Sequence, residues 1–358
     1  MNEFRILHLD NRADLSDWLN LWKQWPQREV FAHPQYLRLY CSTQTRALCA
    51  VWKSNHFGIL HPFLLRNLAN ESFWSDSREA LFDVTSAYGY AGPFVWGSGD
   101  RASLAETFWA EFRDWARGEH VVSEFVRFSL FPGAILSYPG ETWQAAKQII
   151  RPLDLPPSVL WMDFDHKVRK NVNHAVRCGV RIEVDERGER LADFLSIYGH
   201  TMDRRHALDG YRFPREYFEQ MHPGLAGQFA YFHALLNGKA VSAELVLISE
   251  KSVYSFLGGT LEDAFQCRPN DLLKFEIMNW ARERGKSHFI LGGGYHGEDG
   301  IYRYKHAFAP HGQARYLLGG QIFSADLYAA LVAARKSFAS SRGEEWQPHP
   351  GFFPAYRS

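Results

Sequence analysis

The sequence predicts an α+β chain of mixed α/β character: two tandem domains, each a mixed, mostly antiparallel sheet flanked by helices, with a cleft between or beside them. Three observations carry that expectation. A chain of 358 residues, 46% hydrophobic and 15% aromatic, holds enough apolar surface for two cores. Asn237-Gly238 separates two alternating apolar runs, 229–236 and 239–249, which is the strongest short-range hairpin signal. Residues 252–308 then read as strand, helix, strand, glycine turn and a short basic-aromatic segment, a complete βαβ unit. Two neighbouring strands joined through a helix lie parallel, so their C-terminal ends open at one sheet edge, where α/β sheets bind ligands. An antiparallel meander ahead of one βαβ unit is itself an α+β pattern.

In the first half, 4–7 reads as a strand and 14–22 as a helix capped by Asp14 or Ser16. His33-Pro34 turns the chain into a short aromatic helix, and strands 46–53 and 57–65 are joined by Ser54-Asn55-His56. Residues 83–93 are polar, aromatic and glycine-rich and read as a loop, followed by helix 104–116 and strand 121–130. This order echoes the second half, as a diverged duplication would. At the junction Pro152, Pro156 and Pro157 stiffen the chain, and 159–164 (VLWMDF) reads as a strand crossing onward. Then come helix 166–178, strand 180–184, helix 191–203, the polar loop 204–213 and helix 214–221. After the hairpin, Gly258-Gly259 breaks strand 253–257. Pro269 and Asn270 open helix 270–284, with Asn270 or Asp271 as cap and Leu272, Leu273, Phe275, Ile277, Met278 and Trp280 toward the core. Strand 287–291 ends in Gly292-Gly293-Gly294; short helix 301–308, strand 314–323 and amphipathic helix 325–338 follow, and the polar tail beyond Ala339 predicts low order. The domains are accordingly 1–155, 156–323 and a C-terminal extension, 324–358.

Forty basic residues balance forty acidic ones, which argues against broad binding of DNA but leaves room for a local basic groove. Four cysteines without CxxC spacing read as reduced, structural thiols. Charges run through the first twenty residues, so no signal peptide is expected, and no apolar run approaches the roughly 20 residues of a spanning helix. The expected location is the cytoplasm, with peripheral membrane contact left open. Sixteen histidines include no HExxH, so no metal is expected, and the triple glycine is not a GxGxxG fingerprint.

The run of strand, Gly-Gly, a Pro-Asn-x-Leu-Leu helix ending in Arg-Gly, a strand ending in Gly-Gly-Gly, then Tyr302-Arg303-Tyr304-Lys305-x-x-Phe308 resembles the second domain of the FemABX family of the GNAT acyltransferase superfamily. Its pattern is that of the cellulose-biosynthesis-type GNAT domain found in envelope polysaccharide clusters. HKVRKNVNHAVRCGVRIEV resembles the family's basic helix and first strand of that domain, and DVTSAYGYAGPF resembles the Tyr-Gly-Tyr-x-Gly-Pro segment of its first domain. The resemblance implies two GNAT-like domains, the C-terminal one carrying the transferase motif, with helix 325–338 packing back on the first. It implies an N-acyltransferase that moves an acyl or aminoacyl group onto an amine of a cell-envelope precursor, with a nucleotide- or lipid-linked amino sugar as the favoured acceptor. It implies no tightly bound cofactor, with acyl-CoA or aminoacyl-tRNA as co-substrate. Two alternatives stand beside it: a peptidoglycan-bridge aminoacyl transferase using charged tRNA, and a non-catalytic relative that binds a saccharide or a partner protein. One departure bears on the donor. Where acetyl-CoA enzymes carry a glycine-rich pyrophosphate loop, this chain has GGTLEDAFQCRPND, with Glu262, Asp263 and Asp271 opposing an anion.

Acyl transfer to an amine needs a neutral amine in line with the carbonyl, hydrogen-bond donors where oxyanion charge develops, and an acceptor for the proton. The resemblance implies that the donor lies where two parallel strands splay, here bounded by 255–259 and 290–294, with backbone at Leu257, Gly258, Gly292 and Gly293 holding it. It also implies that Lys305 meets phosphate or the reacting carbonyl, with Arg303 and Tyr302 just before it, and that Asp83, Tyr88 and Tyr90 face the cleft, the alternative for those three being an ordinary loop. From the residues alone, Lys167, Lys170, His174 and Arg177 form one face of a helix: a solvated surface or a basic wall for a phosphate-bearing ligand. The loop with Arg204, Arg205, His206, Asp209, Tyr211 and Arg212 is either solvated or suited to a nucleotide or sugar phosphate, Tyr211 stacking and Arg204 and Arg205 pairing. For the base, Glu244 among apolar strand neighbours and His296 after the glycines are the two choices.

Overall fold

Strands of the chain sort into two separate sheets, eight-stranded and seven-stranded among the described residues. The structure, a computed structural model, describes residues 3–54, 57–74, 80–295 and 297–358. One unit comprises Met1–Pro26, Phe31–Ala145 and Tyr316–Ser358, the other Gln27–Val30 and Ala146–Arg315.

The first unit holds β1 (Glu3–His8), α1 (Arg12–Gln24), α2 (Pro34–Arg38), β2 (Thr45–Lys53), β3 (Phe57–Asn67), β4 (Phe82–Thr85), β5 (Phe94–Gly97), α3 (Arg101–Gly118), β6 (Val121–Arg127) and β7 (Glu141–Gln144). From the far end of the chain it takes β15 (Leu317–Ile322) and α10 (Ala325–Ser341). Its sheet runs β1-β2-β3-β4-β6-β15-β7, with β5 beside β3 and, among the described strands, only the β4/β6 pair parallel. Helix α3 lays Leu104, Phe108, Trp109 and Phe112 on the sheet. Asn11, not Asp14 or Ser16, caps α1, accepting from the N–H groups of Ala13 and Asp14, while Asp14 is taken by Arg5 and the His8 N–H.

The second unit holds β8 (Gln148–Pro152), α4 (Pro157–Asp163), α5 (His166–Arg177), β9 (Arg181–Asp185), α6 (Leu191–Arg204), α7 (Arg215–Gly224), β10 (Phe229–Leu236), β11 (Lys239–Ile248), β12 (Ser252–Thr260), α8 (Pro269–Glu283), β13 (His288–Gly292), α9 (Gly300–His306) and β14 (Gln313–Ala314). Its sheet order is β14-β8-β13-β12-β11-β10-β9. The hairpin turn sits at Asn237-Gly238 as expected, both residues with positive φ. Helix α8 presses Leu272, Leu273, Ile277 and Met278 into the core shared with Val168, Val172 and Ala175 of α5. Gly259 on β12 is required by α6: a Cβ there would lie 2.2 Å from Thr201 Oγ1 and 2.9 Å from the Ile197 carbonyl.

Four expectations change. Residues 159–163 are helical, with Phe164 as the extended C-cap, because Pro157 starts a turn at N1 and Leu160 then points into the core. Residues 82–85 form β4 in place of a loop, since Phe82–Thr85 pairs with both β3 and β6. The expected strand 314–323 divides: Gln313–Ala314 pairs with β8 in the second unit, whereas Leu317–Ile322 pairs with β6 and β7 in the first. The tail packs as well, with Tyr356 fully buried beside Leu68, Leu81, Val122 and Leu331 and its hydroxyl 2.7 Å from Ser123 Oγ. The loop Ser54-Asn55-His56 has its last two residues outside the described ones.

The short segment Gln27–Val30 belongs to the second unit because it is bonded into it. Glu250 N–H donates to the Arg28 carbonyl, Val30 N–H to Ser249 Oγ, and the Tyr254 hydroxyl to Glu29 Oε2 at 2.7 Å. Burial pushes the Glu29 carboxyl up to about 7, partly opposed by its bonds to Ser249 and Tyr254 and by the charge of Lys286. A carboxyl raised on folding leaves stability undiminished below its unfolded value and lowers it as pH climbs from there through about 7. Glu29→Gln is therefore expected to raise the melting temperature at pH 8 and to change it little at pH 4, measured by thermal unfolding at both pH values.

Candidate functional site

Parallel pairing between β12 and β13 covers Ser252 with His288, Val253 with Phe289 and Tyr254 with Ile290, and then ends. Each strand carries an extra residue just past that point. Phe256 bulges out of the β11/β12 ladder, between Val246↔Ser255 and Leu245↔Leu257. Leu291 does the same against β8, between Ile290↔Ile150 and Gly292↔Ile149. A bulge bends its strand and increases local twist, so β12 follows β11 while β13 follows β8 and the two part. Burial records the opening: Val253 and Tyr254 are buried, while Ser255 through Gly259 are half-buried. Leu257 and Gly258 lie on one lip, Gly292 and Gly293 on the other. Gly292 has φ of 83°, and a Cβ on Gly293 would lie 2.8 Å from the Lys147 carbonyl.

Lys305 stands at this opening. Asp299 caps α9 through the Tyr302 N–H and also accepts the Tyr295 N–H, which folds the glycine turn back against the helix. Lys305 Nζ then donates to the Gly293 carbonyl at 2.7 Å. Burial holds its pKa down to about 8; Lys274 adds to that, and Glu244 and Asp299 oppose it.

Lys274 is the residue that sequence reasoning missed. On α8 it is 5% exposed, and its ammonium sits 2.5 Å from each oxygen of Glu244, itself 3% exposed, and 2.8 Å from Ser255 Oγ. The signal was there: a lysine directly between Leu273 and Phe275, four residues before buried Met278, on a stripe reserved for apolar side chains. Tyr304 joins the group as Asn270 Nδ2 donates to its hydroxyl at 2.9 Å, and burial, with Asp271 and Glu244 nearby, pushes that phenol well above its usual range. Asp271 is raised too, by burial, and accepts from Asn171 at 3.0 Å. Asn270 and Asp271 are thus engaged away from the helix terminus, and neither side chain caps α8 as expected; left-handed Arg268 and Pro269 begin it.

The other expected residues fall into place unevenly. Glu244 is not an available base, since Lys274 occupies both its oxygens. His296 lies outside the described residues. Arg204 donates to the Thr260 carbonyl at 3.0 Å and stacks on Phe265, so it braces the end of β12 rather than facing a ligand. Arg205 is exposed at the C-terminus of α6. Tyr211 is 37% exposed and meets Tyr295 edge-on at 6.0 Å, while Phe213 approaches the bulged Phe256 at 6.3 Å; the polar loop therefore borders the opening. Arg303 is exposed and donates to the Glu298 carbonyl. Tyr302 is a core residue, 3% exposed and stacked on His306, which removes it from ligand contact. Lys170 lines a separate basic groove of about 320 Å³ with Trp161, His166, Arg169, Asn173 and Arg177. In the first unit Tyr88 is exposed, but Asp83 is fully buried and binds Arg66 at 2.7 Å and Arg357 at 2.6 Å. Its role is structural, because a buried carboxylate is held by exactly such cations. Among the described residues no cluster of His, Cys, Asp and Glu forms a metal site.

Residues 163–306 match the family model described as an acetyltransferase (GNAT) domain. Residues 163–306 thus carry a GNAT-type domain, and the chain has a FemX-like fold. A crystal structure of FemX superposes with a TM-score of 0.63 at 14% identity, covering 91% of this chain and 99% of that one. The C-terminal domain of a putative lysylphosphatidylglycerol synthetase from Agrobacterium fabrum follows with TM-score 0.55, 16% identity and coverage of 91% and 96%. L-PGS from Bacillus licheniformis gives 0.52 at 14% identity, covering 86% and 91%. No curated protein matches the sequence. No helix among the described residues is long and apolar enough to cross a membrane.

Within the segment that matches the GNAT domain, the Lys274–Glu244 pair is the buried support of the opening. Removing one partner of such a pair strands the other charge, at a cost of about 3–5 kcal/mol. Glu244→Ala is expected to destabilise on that scale, while Glu244→Leu combined with Lys274→Met recovers most of the loss, as read from chemical denaturation midpoints.

Proposed function

We propose that this GNAT protein is an N-acyltransferase that moves an acyl or aminoacyl group onto an amine of a cell-envelope precursor, with a nucleotide- or lipid-linked amino sugar as the favoured acceptor. One observation carries the reading: β12 and β13 part beyond Tyr254 and Ile290, and the Lys305 ammonium is held at that opening on the Gly293 carbonyl. A carbonyl lodged between the parted strands meets backbone N–H groups on one side and a cation on the other, an arrangement that stabilises an oxyanion or a phosphate. With a pKa of about 8, Lys305 is mostly protonated at neutral pH and acts as an electrostatic stabiliser. Since Glu244 is bound to Lys274, the proton of the attacking amine passes to the leaving group or to water.

The charged-tRNA alternative draws support from the stretch after β12. Glu262–Cys267 forms a 3₁₀ turn with two acids in its first turn, and α8 opens on Arg268 and Pro269 without a glycine cradle for pyrophosphate. The name of one structural relative, a putative lysylphosphatidylglycerol synthetase, is that of an enzyme whose product carries an aminoacyl group.

The test incubates the enzyme with acetyl-CoA or with aminoacyl-tRNA, each against nucleotide-linked amino sugars, and weighs the products. Acylated amino sugar from either donor supports the proposal and names the donor; absence of any acyl product, with saccharide binding retained, makes the protein a binding relative. Lys305→Ala is expected to lower kcat/KM by roughly 10²–10³, the usual loss on removing an oxyanion donor. In the wild type log(kcat/KM) falls as pH rises through about 8, where the ammonium is lost. Lys305→Arg, charged throughout, is expected to lose that falling limb.

A further inference from the structure

Two of the four free cysteines meet in the second unit, away from the residues of the opening. Cys178 is the C-cap of α5, and Cys267 ends the 3₁₀ turn Glu262–Cys267 that connects β12 to α8. They are 89 positions apart in sequence but share one neighbour. His174 Nε2 lies 3.0 Å from the carbonyl oxygen of Gln266, the residue before Cys267, and 3.5 Å from Cys178 Sγ. A carbonyl only accepts, so Nε2 carries its proton there, and that N–H also faces the Cys178 sulfur. Cys178 is also the chief influence that raises the pKa of Cys267, in keeping with two neighbouring thiols. Both residues are partly buried at the edge of the core, whereas Cys49 is fully buried.

We propose that Cys178 and Cys267 form a modification site, a thiol pair that a small-molecule disulfide such as oxidised glutathione closes into an intramolecular disulfide. The Cys178 thiolate attacks one sulfur of the oxidant and releases one small thiol. Cys267 then attacks the protein sulfur of the mixed disulfide and releases the second thiol. Two protein thiols are oxidised and one small disulfide is reduced to two thiols, which carry off the two protons. Partly exposed cysteines that His174 brings to one place fit this exchange, since it needs access and an attacking sulfur near its target. The bond formed ties the end of α5 to the segment that leads into α8. Arg268, in the left-handed region with φ of 55°, and Pro269 follow Cys267 directly, and one turn further on lies Lys274, which supports the opening. The redox state of the pair thereby sets how firmly the β12–α8 connection is held.

The test treats the purified full chain with oxidised glutathione, quenches with acid, denatures it and titrates thiols. The expected result is a fall from four free cysteines to two, a cross-linked Cys178–Cys267 peptide in the digest, and return to four with reduced glutathione. Cys267→Ser is expected to leave Cys178 as a stable glutathione adduct, the count falling from three to two without a cross-linked peptide. Retention of four thiols by the wild type, separate adducts on Cys178 and Cys267, or a disulfide that involves Cys41 in their place each overturns the proposal.

Discussion

Everything at the site depends on one interruption of backbone pairing. Two parallel strands that begin as neighbours separate after Tyr254 and Ile290, because each carries a bulge at the same level and each keeps its outer partner. Strand ladders gain from continuing, so a break inside a sheet persists only when the freed backbone has other uses. Here the outer ladders carry each bent strand in its own direction, Gly259 lets α6 lie close against the departing β12, and the glycine turn folds onto α9 through Asp299. The gap is consequently a product of the sheet's own geometry, and Lys305 borders it because α9 begins where that turn ends.

Charge placement around the gap follows from burial. Two lysines approach one another there with one carboxylate between them in effect, and the deeper one takes it. Lys274 is neutralised by Glu244 on both oxygens, so the remaining cation effect falls on Lys305, whose proton affinity is already lowered by burial. A buried ion pair is stabilising only with such geometry, and its value lies in fixing the position of its members. Glu244 holds α8 against β11, and through Ser255 the pair touches the residue where β12 starts to leave its neighbour.

In the first unit, polar residues that look functional in sequence prove to be structural. Asp83 gathers Arg66, Arg357 and the Tyr356 hydroxyl; it binds the C-terminal tail to β4 in the same act that buries its own charge. His61 and Glu124 repeat the logic deeper in that unit, 2.6 Å apart within a cage of Phe63, Phe108, Trp109 and Phe112. A carboxylate on a strand is thus no sign of catalysis until its partners are known.

The sequence by itself determined the features whose cause is local. Asn237-Gly238 with period-two flanks specifies a hairpin, and strand, helix and strand in close succession specify a parallel pair and hence the edge at which it opens. The motif around Lys305 is local, running from Tyr302 on α9 to Phe308 just past its end, so it too was legible. What only the tertiary structure decided involves residues far apart in the chain. Lys274 reads as a flaw in an apolar stripe until Glu244, 30 positions away, is seen beside it. β14 and β15 are short strands whose sheet is chosen by partners, so the strand expected at 314–323 divided between two sheets, and a tail of polar composition became ordered once Arg357 reached Asp83, 274 positions distant. Periodicity and turn chemistry are encoded within a few residues, whereas the pairing of buried charges and the choice of strand neighbours are settled by what the folded chain brings together.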